Sequence, residues 1–246
     1  MNKMNLWIIG GLSTPNKMPC YSYNLPISTC GVGKKLAKIP GSGCFECYAD
    51  KGFYKMPNVK AAMNKRKMIV NDAVTTQVHY TKFKNAFIDL LNANFKSTFK
   101  ILARTTKPPR RDGRYFRWHD SGDLMSVTHL QLIADIAEGC PRVMFWLPTK
   151  EVSIVKEFLR LNIVPENLII RISLPRLEQK EPSGLIKKLI SLDKNIHYSY
   201  ITDTYVSPVL SGNLGDLCPA STQDDQCKGC RRCWSSDHPS VGYILH

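Results

Sequence analysis

The chain has 246 residues, 43% of them hydrophobic, and a formal net charge of +14. No apolar stretch approaches the roughly 20 residues of a membrane span, and a chain of this length buries a core without disulfide staples. An odd count of 9 cysteines, with Asn2-Lys3-Met4 leading into an apolar run of only Leu6 to Ile9, argues against a secretory signal and a disulfide framework, and for thiolate ligation in a reducing cell.

Taken in chain order, residues 1–57 form a strand and loop region holding the first cysteine set, Cys30, Cys44 and Cys47. Two helical patterns follow, about Val59 to Ala73 and Tyr80 to Phe95, and are expected to cover one side of a sheet (residues 58–98). The charge is uneven: residues 1–117 carry 21 Lys and Arg against 5 Asp and Glu, whereas the remainder carries 13 against 15. The densest basic stretch holds Lys96, Lys100, Arg104, Lys107, Arg110, Arg111, Arg114 and Arg117, opposed only by Asp112. With Pro108-Pro109 it reads in part as an extended loop, able to follow a nucleic-acid or other polyanion backbone through residues 96–117, or else to be a solvated basic face.

Residues 99–205 alternate β-branched and aromatic runs with amphipathic helices. The runs are Tyr115–His119, Val143–Leu147, Leu168–Ile172 and Ile196–Ile201; the helices are Val127–Glu138, Val152–Leu161 and Ser183–Leu192. This βα order predicts an α/β fold of parallel strands, either a barrel or an open sheet. Beyond Ile201 the chain returns to loop chemistry at Pro208, Gly212, Gly215 and Pro219, and residues 206–246 end in the second cysteine set, expected to dock on the main domain. The whole reads as one globular domain without internal repeats or low-complexity tracts.

The second set is Cys218, Cys227, Cys230 and Cys233, the last three at successive three-residue steps. That spacing suits one face of an iron–sulfur cubane, with the more distant Cys218 taking the last iron, better than the separated pairs of zinc sites. A structural zinc knuckle presenting Lys228, Arg231 and Arg232 to a nucleic-acid backbone is the alternative. Cys140, before Pro141 at a helix end, reads as an ordinary buried thiol.

In parallel α/β folds, working groups gather at the carboxyl ends of the strands. That rule selects His119, Asp120, Ser121, Gly122 and Asp123, then Pro148, Thr149, Lys150 and Glu151, with Ser173, Arg176, Thr202 and Asp203 at the same mouth. Gly122 is expected to let the backbone approach a ligand, and the two carboxylates to hold an amine, a ribose or a proton. Asp123 has a simpler reading as the cap of the next helix, His119 as a satisfied buried side chain, and Lys150 and Arg171 as paired or solvated basic residues.

The segments Lys17–Pro26, Thr29-Cys30, Gly41–Tyr54, Arg117–Asp123 and Trp146–Lys150, with Cys218-Pro-Ala and Cys227-x2-Cys230-Arg-x-Cys233-Trp234, resemble the phage-encoded family described as gene product 88 across nearly the whole chain. That family is in turn similar to radical S-adenosylmethionine (SAM) enzymes. The resemblance implies a partial (β/α) barrel in which Cys30, Cys44 and Cys47 ligate a [4Fe-4S] cluster with one iron open for SAM. It also implies that Asp120–Asp123 receives the methionine amino group, and that the C-terminal four hold an auxiliary cluster. Two departures stand out. Thirteen residues separate Cys30 from Cys44 where the radical SAM pattern has three, and Cys20 offers a fourth thiolate that would close the site. Two readings follow: a radical SAM-like enzyme acting on nucleic acid or another anionic substrate in the host cytoplasm, or a non-catalytic protein whose closed clusters serve electron transfer, redox sensing or particle assembly. One cluster shared by both sets is a further arrangement.

Overall fold

The structure, a computed structural model, describes residues 2–105, 109–203 and 217–245. Lys107 and Pro108 of the basic stretch, and Pro208, Gly212 and Gly215 ahead of the cysteine-rich tail, lie outside the described residues.

Thirteen elements carry the architecture: α1 (Lys3–Ile9), β1 (Tyr21–Tyr23), α2 (Gly31–Leu36), α3 (Pro57–Thr75), α4 (Gln77–Leu102), β2 (Tyr115–Trp118), α5 (Val127–Glu138), β3 (Met144–Thr149), α6 (Val152–Phe158), β4 (Leu168–Leu177), α7 (Gly184–Leu192), β5 (Ile196–Thr202) and β6 (Ser240–Ile244). The six strands form one all-parallel sheet in the order β1-β2-β3-β4-β5-β6. The order never reverses, so the sheet lacks the switch point of a doubly wound fold.

The four expected strands are present, and two more flank them. β1 has only three residues, and β6 includes Gly242, so neither carries a readable alternation of its own. β4 is longer than expected, because Ser173–Leu177 continues the strand beyond its apolar run. Helices α5 and α4 start at side-chain caps: Ser126 accepts from the His129 amide at 3.1 Å, and Thr76 caps α4 through His79. α4 runs to Leu102, so Lys96 and Lys100 of the basic stretch are helical rather than extended.

The two faces of the sheet differ. On one, Tyr23, Phe116, Trp118, Phe145 and Leu147 join the main core under α1, α3, α4 and α5, and Phe87 of α4 packs on Tyr23 and Trp118 at ring separations of 5.3 and 5.0 Å. Strand alternation sends Arg117, Trp146 and Arg171 to the other face. There the C-terminal segment lies against the sheet. Trp234 packs edge-on to Trp146 at 5.3 Å, donates its indole N–H to the Phe116 carbonyl at 2.8 Å, and is 2% exposed. Arg171, fully buried, fastens this segment by donating to the carbonyls of Cys233, His238, Arg232 and Ser235 at 2.8 to 3.2 Å. Its role is a structural clamp.

Candidate functional site

The first cysteine loop is tied to three strand ends. At the end of β3, one carboxylate oxygen of Glu151 accepts from the backbone N–H groups of Gly31 and Val32 at 2.8 and 2.7 Å, fixing the turn just after Cys30. Along β4, Gly43 donates to the Pro175 carbonyl at 2.8 Å and Leu177 to the Gly41 carbonyl at 2.9 Å, which holds the strand beside Cys44. At the end of β2, Asp120 accepts hydroxyls from Tyr48 on its carbonyl and from Tyr54 on its carboxylate. Sequence reasoning set Glu151 at the mouth without a partner and gave these two tyrosines no role. Their partners lie 66 to 120 residues away along the chain, so no local pattern marks them.

Within this frame the thiols of Cys30 and Cys44 meet at Gly33, where an added Cβ would stand 3.4 Å from the Cys44 sulfur and 3.8 Å from that of Cys30. Burial pushes the Cys30 thiol up to about 12, and the charges of Asp123, Cys44, Cys47 and Glu151 add to the effect. Burial also raises Cys44, with the Lys150 ammonium opposing. Three thiols, two carboxylates and one ammonium therefore share a neighbourhood at the carboxyl ends of β2 and β3.

The expected mouth residues divide in their roles. Asp123 is buried; its carboxylate accepts from the Thr149 hydroxyl at 2.6 Å and from the Leu124 and Lys150 amides at 2.8 and 2.9 Å. Burial raises its pKa to about 6 against these three donors. The cap of α5 is Ser126, so Asp123 binds the ends of β2 and β3 together instead. The Lys150 side chain reaches the Leu174 carbonyl at 3.2 Å, and burial lowers its pKa while Cys44, Asp123, Cys47 and Cys30 raise it.

Asp120 is spent on Arg117, at 2.8 Å, and on the two tyrosines. Gly122, at φ +80°, admits a close approach of protein rather than ligand: an added Cβ would meet Leu25 Cβ and Thr29 Oγ1 at 2.7 Å. His119 adopts a left-handed φ of 50°, lies tilted against His129 with ring centroids 5.3 Å apart and is kept neutral by burial. Neither its ring nitrogens nor the Ser121 hydroxyl, all buried, has a hydrogen-bond partner among the described residues.

The second cysteine set gathers on the sheet face. Cys218 donates its amide to the Gly242 carbonyl at 2.8 Å, Cys227 to that of Lys17 at 3.0 Å and Cys230 to that of Cys227 at 2.8 Å. The Cys233 thiol lies 3.2 Å from the Tyr243 hydroxyl. Burial pushes Cys227 up to about 11, with Cys218 and Cys230 contributing, and Cys233 up to about 12, with Cys218 and Cys227 contributing. Cys140 is fully buried beside the Ile88 carbonyl, apart from both sets. All nine cysteines are free, and among the described residues no three Cys, His, Asp or Glu side chains close around a single metal ion. As donors the two groups are thiol-only. Such soft sets suit zinc, copper(I) or iron–sulfur clusters, and the raised thiols ionise only when a cation joins them.

A family model described as Gene product 88 matches residues 5–236. The chain belongs to the gene product 88 family. No curated protein and no solved structure matches it. Both cysteine sets of this family member, and the Asp120–Asp123 turn between them, fall inside the matched span.

Three arginines of the basic stretch are engaged within the fold. Arg111 donates to the carbonyls of Thr14, Pro15 and Met18, Arg110 to the Asn16 side chain, and Arg114 pairs with the buried Asp112 at 2.7 Å. These arginines clamp the segment that leads to Cys20. In the tail, Lys228 pairs with Asp224, and Arg231 lies over the Tyr115 ring at 5.0 Å. No helix among the described residues is long and apolar enough to cross a membrane.

Proposed function

We propose that this protein is an iron–sulfur protein of radical SAM-like type, its sheet serving as a partial (β/α) barrel. Cys30, Cys44 and Cys47 would hold one [4Fe-4S] cluster, and the C-terminal set a second. The observation that carries the reading is the convergence of the first three thiols with Asp123, Lys150 and Glu151 at the carboxyl ends of parallel strands. Cys20 does not contribute there, because it precedes β1 and packs with Cys233 and Trp234. Three thiolates on four irons leave one metal position for an exchangeable ligand; when bound, such a cluster supplies a reducing electron and that open position. SAM is the ligand implied by the resemblance.

The chain's own groups have definable parts. Glu151 sets the turn that presents Cys30, and Asp123 is a positioning residue that holds the Thr149-Lys150 corner. The Lys150 ammonium offsets thiolate charge in a partly desolvated site. In the Asp120–Asp123 turn, the buried Ser121 hydroxyl is the polar group left for the ligand's amino-acid portion. A polyanionic substrate would arrive over the loop rim, where Lys34, Lys35, Lys38, Lys51 and Lys55 are exposed among the exposed rings of Phe45 and Phe53. Free thiols throughout fit a reducing host cytoplasm.

The test is anaerobic reconstitution followed by iron and sulfide analysis and EPR of the reduced protein with and without SAM. The expected result is a cluster signal that shifts on adding SAM and is lost selectively in Cys44→Ser. A cluster signal indifferent to SAM would leave a closed-cluster electron-transfer or redox-sensing protein. A colourless protein with stoichiometric zinc would overturn both.

A further inference from the structure

Cys20 was weighed above as a fourth thiol for the first cysteine set, and the fold takes it elsewhere. It is fully buried in one packed cluster with Trp146, Cys233, Trp234 and Val241, with Cys218 and Tyr243 at its edge. The Cys227 amide is bonded to the Lys17 carbonyl, which brings the tail's cysteine run beside the segment that carries Cys20. The Asp112 amide holds the Pro19 carbonyl, and Arg111 holds that of Met18. Consistent with this placement, the charge of Cys227 raises the Cys20 thiol while Arg117, Arg231 and Arg111 lower it, burial being the largest cause of the rise.

A second observation points to a ligand at the same place. Three polar groups in a row across the sheet lack any hydrogen-bond partner among the described residues: Ser22 Oγ, Arg117 Nε and Trp146 Nε1. Ser22 pairs in register with Arg117, and Arg117 with Trp146, so the three share one face, and Cys20 is buried in the same cluster as Trp146. Ser22 is fully buried and Trp146 is 4% exposed. Buried donors without acceptors are rare and costly, and sulfide or thiolate sulfur is an acceptor that such donors commonly serve in metal centres.

We propose that Cys20 is a metal ligand of the C-terminal centre. The centre then spans the fold: thiolates from the tail and one from the leading edge of β1 bind the same metal group, with Ser22, Arg117 and Trp146 donating to its sulfurs. Metal loading would cross-link the first strand to the last segment of the chain. The inference rests on the reading of the tail as a metal centre, and deepens it by adding a ligand from outside the tail.

The experiment uses the full chain carrying Cys44→Ser and Cys47→Ser, which isolates the C-terminal centre, reconstituted anaerobically with ferrous iron and sulfide. Into this background go Cys20→Ser, or Cys140→Ser as a control for loss of a buried thiol, and circular dichroism of the metal-free variants checks the fold. The expected result is that Cys20→Ser loses half or more of the bound iron or changes the EPR signal, whereas Cys140→Ser leaves both unchanged. Hydrogen exchange at residues 17–23 should slow on metal loading in the parent and not in Cys20→Ser. Iron content, EPR and exchange in Cys20→Ser equal to the parent would overturn the inference and leave the tail centre standing. A parent that takes up no iron would overturn both.

Discussion

Arg117 and Asp120 form an ion pair at 2.8 Å that stands between the two cysteine sets. On one side Asp120 receives the hydroxyls of Tyr48 and Tyr54, which follow Cys47; on the other, Arg117 lies over the Trp146 ring at 4.4 Å and its charge reaches Cys20 and Cys227. Both partners are largely buried, so the pair is a joint rather than a surface ornament.

Removing one partner of a mostly buried ion pair strands the other, at a cost of about 3 kcal/mol. Asp120→Ala is therefore expected to lower stability by about that amount and to free the loop after Cys47. Thermal denaturation with limited proteolysis measures both, and a variant as stable and as resistant to cleavage as the parent would show that the joint contributes nothing.

Arg171 satisfies four carbonyls of the tail, one buried and three partly buried, with one planar guanidinium. Arg171→Met leaves these acceptors unpaired, and a destabilisation of about 3 kcal/mol or more is expected. Arg171→Lys should recover little, because an ammonium cannot span the fork. Quenching of Trp234 fluorescence by iodide reports undocking of the tail directly; a tail that stays protected in Arg171→Met contradicts the clamp.

His129 is buried on α5, and burial lowers its pKa from 6.5 to about 3. As pH falls below 6.5 the unfolded chain takes up the proton while the folded protein does not, so stability declines from there and levels off near pH 3. Linkage gives a loss of about 3 kcal/mol by roughly pH 4.5. His129→Asn retains an acceptor for the Met125 amide, which bonds the ring nitrogen at 3.3 Å, and should flatten this slope in denaturant melts between pH 7 and about 4.5. An unchanged slope would assign the acid sensitivity to other groups.

The exposed rings of Phe53 and Phe45, 82% and 42% accessible, share the first cysteine loop with five exposed lysines. Base stacking combined with phosphate neutralisation is how single strands are held without sequence preference. Phe53→Ala is expected to weaken binding of a labelled oligothymidine about tenfold in fluorescence anisotropy. Lys51→Ala with Lys55→Ala should reduce the salt dependence of that binding. Affinity that ignores Phe53 but falls in Arg104→Ala would return the contact to the end of α4.

The boundaries of α5 and the repeating βα order were legible in the sequence, because they depend on periodicity and caps within a few residues. That Asp123 meets Thr149 and Lys150 was legible for a related reason: parallel strands place their carboxyl ends together. The roles within the mouth were not. Gly122 is required by Leu25 and Thr29, Asp120 is drawn to Arg117, Tyr48 and Tyr54, and Arg111 of the basic stretch is taken up by the carbonyls of Thr14, Pro15 and Met18.

By itself, then, the sequence determined the layered α/β class, the covering helices and two groups of thiols, since short-range pattern and residue chemistry specify these. Tertiary structure alone decided that Cys20 joins the tail rather than the nearby Cys30, and that Glu151 anchors a loop 120 residues before it. It also decided that β1 and β6 complete the sheet. Each of these choices is settled by which distant backbone groups and apolar surfaces must be satisfied together when the chain closes, and no local stretch carries that information.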